Sequence, residues 1–267
     1  MSPDLFHLQP LEVLPLWMIY LLTVILLLLA AEGGYRLSKM KQHRRPDRAE
    51  ASVSTLSGAT LALLAFLLAF ITSTAIGIFS DRRQSVVAEA NAIGTTYLRA
   101  SYLPTPYAEE SRQLLREYVD QRLAAVDQTK TAKALRRSEE IQSGLWTHAT
   151  TLAKDHPSPM TGLYIQSLNE VIDLHTYRIN AELVVYLPWG IVIILYVIAI
   201  LALGLVGLQV GYADKRNLIA LFVFVLILAM GFLLITDLSR SQSGMFTVSH
   251  QALIDLQRQV STHASSR

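Results

Sequence analysis

The sequence predicts an all-α membrane protein: four transmembrane helices, with a helical bundle outside the membrane inserted between the second and the third. Three observations predict this fold. Each of four apolar runs reaches the roughly 18–20 residues with which a helix crosses ~30 Å of hydrocarbon. A polar block, residues 80–185, separates the second run from the third. Charged residues make up 16% of the chain, against about 25% in soluble proteins. The runs are 11–31, 53–79, 186–210 and 218–236.

The positions of the basic residues predict on which side of the membrane each loop lies. Lysine and arginine are concentrated in short cytoplasmic loops, whereas a long segment can cross the membrane regardless of its charge. The loop after the first run is rich in them, and the loop before the fourth run has two. Both loops are therefore predicted in the cytoplasm, with the N-terminus, the polar block and the C-terminus outside. The basic residues are Arg36, Lys39, Lys41, Arg44, Arg45, Arg48, Lys215 and Arg216.

Helical periodicity continues outside the membrane. The second run continues without a breaker to about Leu103, where Pro104 and Pro106 predict a turn. Apolar residues then recur at helical spacing through 107–126, 133–153 and 160–187, the last helix running into the third membrane helix. After the fourth run, one side of a short amphipathic helix carries Phe246, Leu253, Leu256 and Val260.

These patterns divide the chain into five segments. Small residues near the end of the third run also predict close helix packing there, at Gly204, Gly207 and Gly211. The segments are 1–52, the first membrane helix and a basic loop; 53–79, the second membrane helix; 80–185, the outer bundle; 186–237, the third and fourth membrane helices; and 238–267, the amphipathic tail.

The sequence contains no motif typical of an enzyme, a cofactor site or a metal site. Without cysteine the chain has no disulfide, thiolate metal site or cysteine nucleophile. His175 lies in register with Leu168 and Ile172, where a packed core histidine is more common than a ligand. No phosphate-binding loop, zinc-binding helix or serine elbow occurs. The sequence therefore predicts no enzyme, no cofactor and no metal site, and the net charge of +2 gives no indication of a nucleic-acid partner.

Three polar groups flank the predicted membrane helices on their outer side. Ionisable groups beside a membrane usually pair with each other or line water. The favoured interpretation is a set of ion pairs joining the helices; a ring of arginines at a pore mouth and a catalytic carboxylate pair are the alternatives. The groups are Arg82, Arg83, Glu89, Asn91 and Arg99; Asn169, Glu170, Asp173, His175 and Arg178; and Asp237 and Arg240.

Several of these residues form a recognisable series. Arg82-Arg83 precedes Glu-Ala-Asn-Ala-Ile-Gly-Thr-Thr-Tyr-Leu-Arg at 89–99, Leu168-Asn169-Glu170 precedes Asp173 and Arg178, and Asp237-Leu238 precedes Gly244. Over residues 50–260 the chain resembles a bacterial membrane family catalogued as a bestrophin-like domain of unknown function. One departure is Arg240-Ser241, where the family tends to have Arg-Pro.

The resemblance implies four transmembrane helices with an extended helical region, in the bacterial inner (plasma) membrane. Through the bestrophin name it also implies an oligomeric anion channel. The leading hypothesis is therefore a homo-oligomeric ion channel, anion-selective if the name is informative, with the lipid bilayer and inorganic ions as its partners.

The second membrane helix is the predicted pore lining, because it combines small and hydroxyl residues with two arginines at its outer end. A packing seam inside one subunit is the other interpretation of the small residues. The rival function is a non-transporting sensor or scaffold whose outer bundle binds a partner. The predicted pore-lining residues are Ser57, Thr72, Ser73, Thr74, Gly77, Arg82 and Arg83.

Overall fold

The computed structural model describes residues 14–41, 46–127, 129–183, 187–213, 217–240 and 244–265. Within these ranges the chain forms eight helices and no strand, which confirms the predicted all-helical fold. Four of them, α1, α2, α6 and α7, are long and apolar enough to cross a membrane. The helices are α1 (Leu16–Lys41), α2 (Pro46–Ala100), α3 (Tyr107–Ala124), α4 (Thr131–Asp155), α5 (Pro159–Leu183), α6 (Trp189–Tyr212), α7 (Leu218–Ser239) and α8 (Gln251–Ser265).

The chain divides into two compact units. The membrane unit comprises Met1–Phe79 and Tyr186–Thr247, and the bundle unit comprises Ser80–Val185 and Val248–Arg267. Helix α2 contributes to both, because no proline follows its first residue and nothing interrupts its backbone hydrogen bonds. The predicted tail segment, 238–267, is divided between the two units. Helix α7 runs to Ser239 in the membrane unit, and α8 belongs to the bundle unit.

Two expectations about the helix ends were wrong. Helix α5 ends at Leu183, and Leu187 and Pro188 lie outside any helix, so α5 and α6 are separate. A proline disfavours the helical conformation in the residue before it, and Pro188 itself is extended, with a ψ of 128°. Phe246 is 47% exposed and precedes α8, so it is not part of the amphipathic helix.

The bundle unit has a continuous apolar core. Helix α2 contributes Ile93 and Tyr97, and α3, α4 and α5 supply further buried side chains. Helix α8 closes the core, because Leu253 and Leu256 are buried in it and the Tyr97 hydroxyl donates to the carbonyl of Val260 at 3.3 Å. The amphipathic tail thus packs on the bundle.

Helices α1 and α6 of the membrane unit approach each other through glycines. A Cβ added at Gly207 would overlap the carbonyl of Ala31, and one added at Gly34 would overlap that of Gly204. Between helices in lipid, where burial of apolar groups gives little driving force, this backbone contact supplies packing that larger residues prevent.

Replacement of Gly207 by alanine is therefore expected to destabilise the membrane unit, by about 1–3 kcal/mol, because the helices must move apart to admit the methyl group. Thermal unfolding of the purified protein in detergent would measure the loss. Gly231→Ala in α7 is the matched control, since no atom beyond the neighbouring backbone of its own helix lies within 4 Å of the added Cβ. Equal stability of the two variants would contradict the glycine contact.

Candidate functional site

A buried carboxylate joins three helices of the bundle unit. Glu89 of α2 is fully buried, and its Oε1 accepts from Nε of Arg122 in α3 at 2.8 Å. Its Oε2 accepts from Nη1 of Arg178 in α5 at 2.6 Å. Both arginines are almost completely buried as well. A buried ion is tolerated only when paired and hydrogen-bonded, so α2, α3 and α5 are fixed relative to one another at this point.

Three neutral side chains complete the cluster. The Tyr118 hydroxyl lies 3.1 Å from Oε1 of Glu89, 3.1 Å from Nε2 of Gln142 and 3.0 Å from Nδ1 of His175. A carboxylate only accepts, so Tyr118 donates its single proton to Glu89, and Gln142 donates to Tyr118. The remaining contact then requires His175 to carry its proton on Nδ1. Its buried Nε2 has no hydrogen-bond partner in the described part of the chain.

The cluster shifts the pKa of three of its members. Burial alone would raise the pKa of the Glu89 carboxyl, but Arg122 and Arg178 outweigh burial and the pKa lies below its ordinary 4.5. Burial, reinforced by the charge of Glu89, raises the pKa of Tyr118. Burial and then Arg122 lower the pKa of His175 from 6.5 to about 4. At neutral pH the cluster therefore holds one carboxylate, two guanidinium ions and a neutral imidazole.

This arrangement suits a structural role, joining the helices, better than a catalytic one. Both Glu89 oxygens already accept hydrogen bonds from the protein, and the carboxylate is closed to water, so a substrate would have to displace a buried arginine. Among the described residues no three His, Asp or Glu side chains are grouped closely enough to hold a metal ion.

The structure brings together only some members of the predicted polar groups. Glu89, His175 and Arg178 meet in the cluster, whereas Arg82 is buried and donates to the carbonyl of Ala181 at 2.9 Å. Arg99 donates to the carbonyl of Leu163 at 2.8 Å.

The other members on α2 and α5 lie at the surface of the bundle unit. Asn169 donates to Asp173 at 2.8 Å on an exposed face of α5. Asn91 and Glu170 are exposed.

The polar group at the end of α7, Asp237 and Arg240, bonds to backbone atoms of the membrane unit. Asp237 accepts hydrogen bonds from the backbone N–H groups of Met245 and Phe246, at 2.9 and 3.2 Å. Arg240 donates to the carbonyl of Leu14. Both residues thus hold chain segments next to the end of α7. The side chains of Lys41, Arg44, Arg45, Arg48, Lys215 and Arg216 lie outside what the structure describes.

The predicted pore-lining residues fall into three sets by their exposure. Ser57 and Arg82 are 2% and 1% exposed, so other parts of the chain cover them. Thr72 is half-buried. The exposed set is Ser73, Thr74, Gly77 and Arg83.

Sequence reasoning missed Arg122, Tyr118 and Gln142. A signal for the first was present: Arg122 continues the apolar row of α3 through Leu115 and Tyr118 at helical spacing. An arginine on an apolar face requires a buried acceptor. Glu89, on the apolar side of α2, is that acceptor.

Neutralising Glu89 is expected to destabilise the protein strongly. Glu89→Gln leaves two buried guanidinium groups without their anion, and breaking a buried pair in this way costs about 3–5 kcal/mol. Thermal unfolding followed by circular dichroism would report the change. Glu170→Gln, an exposed carboxylate on α5, is the control and should change stability little. A Glu89→Gln protein as stable as this control would refute the structural role.

His175 predicts a pH dependence of stability. Between pH 6.5 and about 4 the unfolded chain binds a proton on this imidazole that the folded chain does not. The free energy of unfolding therefore falls as the pH drops through this window, by about 3 kcal/mol in total. The melting temperature measured from pH 7 to pH 4 should fall less in His175→Asn, whose amide can still donate to Tyr118. Identical slopes would contradict the assignment.

Comparison with known proteins places this fold. A family model described as Bestrophin-like domain matches residues 24–253. A crystal structure of a bacterial bestrophin homolog variant from Klebsiella pneumoniae is 13% identical with a TM-score of 0.65, covering 93% of this chain and 98% of that chain. Another variant from the same organism is 16% identical with a TM-score of 0.61, covering 92% and 98%.

A crystal structure described as a membrane protein is 14% identical with a TM-score of 0.64, covering 92% of this chain and 97% of that chain. No curated protein matches the sequence. At these identities the solved structures show a shared fold, and the family model confirms the resemblance drawn from the residues. The chain belongs to the Bestrophin-like family.

Proposed function

We propose that this protein is a homo-oligomeric ion channel of the bacterial inner membrane, with a pore lined by the membrane part of α2. One observation carries the proposal: one whole side of the membrane part of α2 is exposed, from Ala59 to Gly77. A helix surface that no other part of the chain covers contacts lipid, a second copy of the protein or water.

The open surface of α2 is a continuous face. At ~100° per residue, the exposed positions fall on one side of the helix, and the buried Leu64, Ile71 and Ala75 fall on the other. We call the exposed side the bare face. In the membrane unit its midline is Ala59, Ala62, Phe66, Phe70, Ser73 and Gly77.

The composition of the bare face favours a pore over lipid contact. Ser73 and Gly77 add little to membrane anchoring, and small residues let copies of a helix approach each other. Phe66 and Phe70 are 66% and 64% exposed and lie one turn apart on the same midline. A ring of such side chains would form a hydrophobic constriction, which gates ions by excluding water. Sequence reasoning missed this pair.

The proposal also includes a preference for anions and an orientation of the protein in the membrane. Anion preference rests on family membership and on Arg83, which is exposed at the end of the apolar part of α2. The orientation, with both termini and the bundle unit outside, rests on the basic loops.

Recording from the purified protein in planar bilayers under a chloride gradient tests the channel. The expected result is discrete openings whose reversal potential follows chloride, from a particle that mass photometry sizes as an oligomer. Phe66→Ala with Phe70→Ala should raise the conductance or open probability several-fold, because the constriction widens and wets. The control is Phe222→Ala, since Phe222 is also exposed but lies in α7.

Two results would overturn the proposal. An oligomer that stays silent across voltage, pH and calcium would favour the non-transporting sensor or scaffold. A current that responds equally to the α2 and α7 substitutions would remove α2 from the pore.

A further inference from the structure

A groove runs between α1 and α7 on the surface of the membrane unit, with a volume of about 580 Å³. The described residues that line it are apolar except for Glu32. Its walls include the exposed side chains of Ile25 and Leu29 on α1 and of Leu218 and Ile219 on α7. A groove of this composition between two membrane-spanning helices suits a hydrocarbon chain.

The groove lies at the end of the membrane unit from which the basic loops emerge. Glu32 is about 10 Å along α1 from Ile25 at 1.5 Å per residue, whereas one leaflet provides about half of the ~30 Å hydrocarbon layer. Leu218 is the first residue of α7 and follows Lys215-Arg216 closely in the sequence. The groove therefore fits within one leaflet, with its Glu32 end toward the lipid headgroups.

An ion pair holds an arginine beyond that end of the groove. Nε of Arg36 donates to Oε1 of Glu32 at 2.9 Å, one turn along the same side of α1. The Arg36 side chain is 76% exposed, and its terminal amino groups make no hydrogen bond to any residue that the structure describes. Glu32 thus orients the guanidinium and leaves both terminal groups for an acceptor, and a phosphate matches their planar fork.

The charge of the neighbouring sequence also favours an anion. Residues 36–48 include six lysines and arginines and one aspartate. Clusters of four to eight basic residues next to the cytoplasmic end of a membrane helix are typical of sites that bind anionic lipid headgroups. The apolar groove and the basic segment are adjacent on α1, so one amphipathic molecule can contact both.

We propose that this groove binds an anionic phospholipid of the leaflet that borders the basic loops. One acyl chain lies along the groove, and the phosphate accepts hydrogen bonds from the terminal groups of Arg36. Each half of the lipid then meets a surface of matching chemistry. This binding is separate from ion conduction and would hold equally for a sensor or scaffold.

Native mass spectrometry of the full-length protein tests the site. Protein freed of lipid in detergent is titrated with phosphatidylglycerol and, separately, with zwitterionic phosphatidylcholine. Phosphatidylglycerol should bind severalfold more tightly, because it alone carries a net negative charge.

Arg36→Gln should weaken phosphatidylglycerol binding about fivefold, since one basic residue near anionic lipid contributes about 1 kcal/mol. The matched control is Arg258→Gln. Arg258 is 72% exposed and pairs with Asp255 one turn away, but it belongs to the bundle unit and should not affect lipid binding.

A second pair of variants tests the groove apart from the charge. Ile25→Ala with Leu29→Ala shortens two wall residues and should weaken phosphatidylglycerol binding severalfold. Leu22→Ala with Leu26→Ala is the control, because these residues are also exposed on α1 at the same spacing but do not line the groove.

Three results would overturn the lipid site. They are equal affinity for the two lipids, an Arg36→Gln protein that binds phosphatidylglycerol as well as the Arg258→Gln control, and equal effects of the two alanine pairs. A groove variant that loses its oligomer in mass photometry while keeping its lipid affinity would also overturn the site, because a second copy of the chain would then occupy the groove.

Discussion

The pairing of Glu89 with Arg122 and Arg178 is the constraint on which the bundle unit depends. A carboxylate with no exposure to water cannot be left unpaired, and its two partners come from different helices. Replacing such a set by apolar residues is often harmless, whereas removing one member is not. The set therefore does more to specify one arrangement of α2, α3 and α5 than to add stability. Tyr118 and His175 extend this specification through hydrogen bonds of fixed direction.

Fixing the rotation of α2 also decides which of its residues are left outside. Asp81, Arg82 and Arg83 are consecutive, and at ~100° per residue they point in three directions. Arg82 turns into the bundle and bonds to a carbonyl, while Asp81 and Arg83 stay exposed on either side of the bare face. A pair of arginines that looks equivalent in the sequence thus has one buried and one exposed member. Only the exposed one remains available to ions or to another subunit.

The sequence predicted the architecture well because length and periodicity are local properties. Four apolar runs and the helical rows of the bundle each lie within one segment, so the fold class followed from them. The pairing of Glu89 with Arg122 did not follow, because Arg122 is distant in the chain and no local pattern shows which helices meet. Phe66 and Phe70 were missed for another reason: α2 is apolar all round within the membrane, so hydropathy alone cannot show which side its own chain covers.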